Sequence, residues 1–405
     1  MARLTYQDCA PMLKEMYEMV TGRKAVGSLN FGQMQSVFKT ALENQNDNLY
    51  NIIPTVLTKT LFAVRPYNRK FAGAFWTQEK YGDWTRKFTP IVENYETNDE
   101  WNIPTELAKA EASQDWKAGT KPIPEDVLMT VTNGGNAYAK KYTIYKNQLN
   151  AAFNSEQGVA DFFSMKMTEF SNGIEQDGED EVRAQIANII LTLADAGKST
   201  PTAGNACGKD QCWHVLSEYN AETGLAMTAK TVMLPANFRE FMIWFSARYQ
   251  DKLSDLAVHS TYHHANLTTK KINRHTNLSD MRVYISKRFA EYFKANGAAL
   301  FNPDKLTLGD YEEVNYWVDI NNKEQVNGIA KCLKTDGTEL SLATAKVDNV
   351  IGLVTDVDMF GIVPIDIWSA SEPFNARFGF RNVWNHYTWK QQTDFTENAL
   401  LICLD

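Results

Sequence analysis

Basic charge, histidine, cysteine and long apolar runs are all scarce in this sequence of 405 residues. Lys and Arg together number 41 against 49 Asp and Glu, a formal net charge of −8. Such a chain has no bulk attraction for a phosphate backbone, which is bound by clustered Lys and Arg. The five cysteines, Cys9, Cys207, Cys212, Cys332 and Cys403, are scattered and odd in number, which points to free thiols in a reducing compartment. No apolar stretch approaches the roughly 20 residues that cross a bilayer. The opening Met1-Ala-Arg-Leu-Thr-Tyr-Gln-Asp has no apolar targeting run, so a soluble intracellular protein with no membrane partner is expected. On that expectation the glycosylation-like triplets at Asn266 and Asn277 are chance matches.

Motifs that carry chemistry are equally sparse. There is no Gly-x-Ser-x-Gly, no Walker loop and no dinucleotide fingerprint; the paired Gly134-Gly135 after Asn133 reads as a tight turn between strands. Cys207, Cys212 and His214 gather three potential zinc ligands, but a structural zinc normally takes four, and no fourth follows nearby. His259 and His263 fall at i and i+4, yet Ser260 stands where a metalloprotease pattern needs Glu, so surface or interface histidines are the expectation. Asp356 and Asp358, one residue apart on a strand, are expected to face solvent. The reading is therefore of a protein without catalytic residues, metal or cofactor.

Aromatic residues, by contrast, are plentiful: 10 Trp, 17 Tyr and 21 Phe suggest wide apolar surfaces, in a large core or at subunit contacts. Met12, Met16 and Val20, then Phe31, Met34, Val37 and Leu42, suggest two helices in the first 64 residues. The runs 71–76 and 81–88 read as the strands of a hairpin, and 138–145 as a strand with Tyr138, Tyr142 and Ile144 on one face. Phe163, Met167, Phe170 and Ile174 form one helical stripe and Val182, Ile186, Ile189 and Leu193 a second, expected to lie on one long, bent helix with Arg183 and Gln185 off the buried stripe. Pro235 opens a further amphipathic helix bearing Phe238, Phe241, Ile243 and Phe245, and strand 281–286 runs straight into helix 287–294. Residues 300–345 are turn-rich, and 350–354, 360–367, 374–387 and 399–404 are strand-like. The class is α+β, with helices and strands interleaved irregularly.

Charge is split in the region after residue 64. Residues 65–90 carry six basic and two acidic residues, whereas 91–115 carry seven acidic and one basic. Two solvated faces of a loop would explain this; a projecting arm seeking a neighbour explains it too. On the second reading the intersubunit contact candidates are Arg69, Lys70, Arg86 and Lys87 in the basic stem and Glu93, Glu96, Asp99 and Glu100 beyond it.

The order of segments resembles the tailed-phage major capsid (head) protein with the Hong Kong 97-type fold, closest to those of small short-tailed phages. The resemblance is carried by Phe360-Gly-Ile-Val-Pro-Ile365, by Phe374-Asn-Ala-Arg-Phe-Gly-Phe-Arg-Asn-Val-Trp-Asn-His-Tyr-Thr-Trp389, by Asn398-Ala-Leu-Leu-Ile-Cys403 and by Ser279-Asp-Met-Arg-Val-Tyr-Ile-Ser-Lys-Arg-Phe289. It implies an N-terminal arm over 1–64, an extended β-hairpin loop over 65–130 and a peripheral domain with a long spine helix over 131–199. An axial domain over 200–359 and C-terminal strands over 360–405 returning to the peripheral domain complete the implied order. The implied function is a subunit that self-assembles as hexamers and pentamers into an icosahedral head around double-stranded DNA, touched by proximity and not by sequence. The implied partners are a portal protein and, since no fused scaffolding segment precedes the loop, a separate scaffolding protein. Assembly would take place in the host bacterial cytoplasm. Two rivals are an encapsulin-type nanocompartment shell of the same fold and a metal-dependent enzyme built on Cys207, Cys212 and His214 or on the histidine cluster of His259, His263 and His264.

Overall fold

A computed structural model describes residues 70–76, 84–91, 126–133, 135–152, 156–205, 207–260, 266–267, 270–271, 274–297, 310–328, 330–333, 339–342 and 346–405, with scattered positions between 14 and 40. Those scattered positions, Lys14 to Thr21 and Gly32 to Thr40 where described, have helical backbone, as the apolar spacing predicts.

The larger elements run in this order. Strands β1 (Trp84–Ile91), β2 (Asp126–Asn133) and β3 (Asn136–Tyr145) are followed by helices α1 (Lys146–Ala152) and α2 (Glu156–Ala196). Next come β4 (Cys212–His214), α3 (Val215–Thr223), α4 (Pro235–Ala257), β5 (Met281–Ser286), α5 (Lys287–Gly297) and β6 (Glu312–Val314). The last four are β7 (Val350–Asp356), β8 (Phe360–Ser371), β9 (Phe380–Thr393) and β10 (Ala399–Cys403). The chain divides into two compact units, one of Met1–Asp83, Asn133–Val182 and Gly361–Gln392, the other of Trp84–Thr132, Arg183–Phe360 and Thr393–Asp405.

The first unit contains a three-stranded sheet of order β8-β9-β3. β9 and β3 pair antiparallel from Phe380↔Tyr145 to Trp389↔Asn136. Alternation on β9 buries Arg381, Val383, Asn385, Tyr387 and Trp389 and leaves the residues between them half-buried, the period-2 signature of a strand with two different faces. Across the buried face lies α2, held largely by polar contacts. Tyr138 donates to Glu181 at 2.5 Å, Lys140 Nζ reaches both Asp177 oxygens at 3.1 Å, Tyr387 donates to Asp177 and Gln391 to Glu181. Asp177 and Glu181 stand four residues apart, so the helix presents both on one face. Burial, then the Glu181 carboxylate, pushes the Tyr138 phenol up to about 12, leaving it a donor at any ordinary pH.

The second unit is built on a five-stranded sheet of order β4-β10-β7-β5-β6. β7 and β10 are buried along almost their whole length, so they read as continuous apolar runs, as strands covered on both faces do. Against the sheet pack α3, α4 and α5, whose Tyr219, Phe238, Phe241, Phe245, Tyr249 and Phe289 form an aromatic core. Pro235 at the first turn of α4 supplies the fixed φ a helix start uses, and the buried residues then recur at helical spacing through Leu256. Ile243 is an exception to the sequence reading: it falls between the buried positions and lies exposed. Gly224, at φ 71°, closes α3 in the left-handed conformation and donates to Asn220 O at 2.9 Å.

Several expectations need correction. Among the described residues, 71–76 do not pair with 84–88. Ala72–Ala74 form a 3₁₀ turn with Phe71 at φ 61° and its ring buried, while β1 pairs with β2, the strand that ends just before Gly134-Gly135. β2 and β3, on either side of Gly134-Gly135, belong to different sheets, so that turn does not close a paired hairpin. Strand 399–403 does not return to the sheet of β3 but inserts between β4 and β7, because its five apolar residues fit only a strand covered on both faces. The single helix α2, 41 residues long, agrees with the long-helix reading, but its register does not divide as expected. Val182, Ile186, Ile189 and Leu193 are buried, and so are Arg183 and Gln185. This stretch of α2 is enclosed nearly all round, and Arg183 is accommodated by donating to Tyr316 O while its guanidinium stacks 3.9 Å from the Tyr316 ring centroid.

Candidate assembly surface

The charged candidates fall into three groups. Arg69, Glu93, Glu96, Asp99 and Glu100 lie outside the described residues, and for Arg86 only the backbone, in β1, is described. Lys70 offers its backbone amide to Glu179 at 3.5 Å. Lys87 has an intramolecular role: its ammonium is 2.9 Å from Asp394 and also pairs with Glu397, which Arg274 approaches at 3.2 Å. Burial opposes the charge on Lys87, but Asp394 and Glu397 outweigh it and raise its pKa. No local pattern signals this partnership, since 310 residues separate Lys87 from Glu397.

What sequence reasoning missed is apolar. On the β1–β2 ribbon, Phe88 is 63% exposed and Met129 52%. In the first unit, the face of the β8-β9-β3 sheet away from α2 is lined with rings. Trp368, half exposed, stacks flat on His386 at 3.9 Å. Trp384 donates to Glu372 at 2.6 Å and lies under Lys141 Nζ, and Asn382 donates to the other Glu372 oxygen at 2.7 Å. These donors, Trp384 first, hold the Glu372 carboxyl below its usual range, so it stays charged. At the hairpin turn, exposed Phe378 packs on Phe380, Arg377 covers its ring at 5.3 Å, and exposed Tyr145 meets Phe380 edge-on at 5.8 Å. The available signal was aromatic residues at both parities of 374–389: a strand with rings on alternate faces has one set left over once its core face is covered.

Among the described residues no group of three or more His, Cys, Asp or Glu is placed to hold an ion. Cys207 and Cys212 face different neighbours: burial pushes the Cys207 thiol up, with Cys332 and Asp195 adding to it, whereas Cys212 interacts with Cys403 and His214. His259 lies beyond the end of α4, not on a helix face, with Nδ1 3.2 Å from His275 Nδ1; His263 and His264 are outside the described residues. Asp356 accepts from Thr276 Oγ1 at 2.6 Å and from the Asp358 amide at 2.9 Å, a turn-closing role. No described helix is long and apolar enough to cross a membrane.

Exposed rings and apolar ribbons on a sheet-based subunit are what an assembling protein presents. Comparison with known proteins agrees. No curated protein sequence matches the chain. Among solved structures, a chain in the structure of head fiber and inner core protein gp22 of native bacteriophage P68 is 11% identical, with TM-score 0.50 over 84% of this chain and 85% of that one. The capsid of Staphylococcus phage Andhra is 10% identical, with TM-score 0.48 over 84% of each chain. The architecture is α+β, and the profile of the Phi29-like phage major capsid protein matches residues 30–403. A match over nearly the whole chain places it plainly: the protein belongs to the Phi29-like phage major capsid protein family, and its function is to form the capsid shell of a tailed phage.

Proposed function

We propose that the subunit contacts of this shell are made by the β1–β2 ribbon with the segment it encloses, and by the ring-lined face of the β8-β9-β3 sheet. The observation that carries this is the exposure of Phe88 and Met129 on a sheet of only two strands. A lone two-stranded ribbon is marginal in water, so apolar side chains on it are best accounted for by a surface that arrives with another copy. The segment 65–130 then acts as the extended loop and 1–64 as an arm, with 131–199 and 200–359 taking the peripheral and axial places and strands β8 and β9 completing the peripheral sheet. Closed shells of hexamers and pentamers follow when such head-to-tail contacts close by rotation.

The role is structural and not enzymatic. The net charge of −8 suits a wall that lets double-stranded DNA lie against it without specific binding. A separate scaffolding protein, a portal and assembly in the bacterial cytoplasm complete the reading. The family favours this over an encapsulin-type compartment.

Lys87 is engaged within its own subunit, so the test rests on the acidic side of the loop. Reversing Glu96, Asp99 and Glu100 to Lys should leave the monomer folded by circular dichroism and slow assembly followed by light scattering. Exposed ion pairs are worth about 0–1 kcal/mol each, but a shell repeats them at every subunit, and high salt should narrow the gap from wild type. A triple variant that assembles normally at every salt concentration would remove the loop from the interface.

A further inference from the structure

Two of the three potential zinc ligands, Cys212 and His214, join a different constellation. β4 and β10 run parallel with Leu401↔Cys212, Ile402↔Trp213 and Cys403↔His214, which brings Cys212, Cys403 and His214 to one end of the sheet. His214 Nδ1 lies 2.9 Å from Asp405 Oδ1. Its other nitrogen is turned to the thiol side: a Cβ on Gly197 would stand 3.1 Å from His214 Nε2 and 2.9 Å from Cys212 Sγ, so both atoms border the same small space. A cavity of about 300 Å³ opens there, lined by Cys212, Trp213, His214, Ser217 and the charged Asp210 and Lys252.

The order sulfur, imidazole, carboxylate is that of an activated nucleophile, in which the carboxylate fixes the ring and the ring holds the proton. The electrostatics agree. Asp405 first, then Cys212, raises the pKa of His214 to about 10. Cys403 first and His214 next lower that of Cys212, against the effect of burial and of Asp405. Glu218, also at the cavity, and Asp210 are the remaining acidic groups, and Lys252 the facing cation. Cys212 is buried, as are Cys332 and Cys403; what sets it apart is its company, since burial pushes Cys207 up and Cys212 raises Cys403.

We propose that Cys212 is a preformed thiolate, paired with the His214 imidazolium, that takes up a thiol adduct from a small disulfide entering the cavity. The Cys212 sulfur attacks one sulfur of the disulfide, a new S–S bond forms as the old one breaks, and the departing thiolate takes the Nε2 proton of His214. One disulfide is consumed and one is made, so no further oxidant is needed. Asp405 is a positioning residue that keeps the ring in the tautomer and orientation this transfer uses.

The test is incubation of the full-length folded protein with oxidised glutathione at pH 7, read by intact mass and peptide mapping, beside the pH profile of iodoacetamide alkylation at each cysteine. One glutathione at Cys212 is expected, with alkylation there at pH 7 roughly tenfold faster than at the same cysteine in the unfolded chain, where the thiol titrates near about 8.5. Asp405→Asn, checked for folding by circular dichroism, should lower the pKa of His214, followed by NMR titration of its ring, because Asp405 is the first cause of its rise. An adduct spread over Cys207 and Cys332, no adduct in the folded protein, or a wild-type profile at the ordinary thiol value would overturn the proposal; the wild-type profile decides alone if the variant misfolds.

Discussion

The two units pack helix against sheet with opposite chemistry. In the second, α4 and α5 meet the sheet through Phe238, Phe241, Phe245 and Phe289, with ring centroids 5.1–6.0 Å apart. In the first, α2 meets β3 and β9 through Tyr138, Lys140, Asp177, Glu181, Tyr387 and Gln391. An apolar interface gains from area and tolerates small rearrangements; a polar one is satisfied only where donors and acceptors line up. The comparison teaches where a shell subunit is kept rigid by bulk and where by directional bonds. It also predicts that the two units respond differently to removal of a single group.

The largest effect is expected in the aromatic core. Phe241→Ala should cost about 3–5 kcal/mol in denaturant unfolding, through lost burial and the cavity left behind. A loss below 1 kcal/mol would mean the core closes over the gap and is less tightly packed than the ring geometry indicates.

Arg183→Met tests a boundary case, a charge inside the enclosed stretch of α2. It removes a charge-assisted bond to Tyr316 O and a stacked guanidinium but keeps the side-chain length. About 1.5–3 kcal/mol should be lost. A neutral or stabilising result would show that apolar packing alone suffices there, as happens for some buried charges replaced by hydrophobic residues.

The smallest effect is expected in the polar interface. Tyr387→Phe keeps the ring stacked on Tyr138, at 5.4 Å, and removes only the hydroxyl that Asp177 accepts. Asp177 retains Lys140, so the loss should be about 1 kcal/mol, visible as a shift of midpoint without a change of slope. A larger loss would place the stability of this interface in the network as a whole.

These cases also mark how far the sequence could be read. Stripes of local period were legible: the length of α2, the Pro235 start of α4, the junction at Ser286 and Lys287, and the apolar run of β10 all follow from neighbours in the chain. Pairings across the chain were not. β2 carries a polar alternation, Asp126-Val-Leu-Met-Thr-Val-Thr-Asn133, whose partner is set by long-range closure, and Arg183 looks like a surface residue until Tyr316 is placed beside it. For the candidate site, Cys212 and His214 stood out by spacing, but Asp405 and Cys403 join them only through the register of β4 and β10. Lys87 was picked out by its charge, and its partners Asp394 and Glu397 are supplied by a distant segment.

The position of β10 has a consequence for timing. β4 has no other strand neighbour in its sheet, and between β4 and β10 the chain passes through β5, β6 and β7. During synthesis, then, Cys212–His214 leaves the ribosome long before the strand that will hold it, and the gap beside β7 stays open until residues 399–403 emerge. A subunit interrupted short of that point carries an exposed sheet edge and an open core. Folding order in this way acts as an inspection step, because only a chain translated through β10 can offer a finished wall to its neighbours.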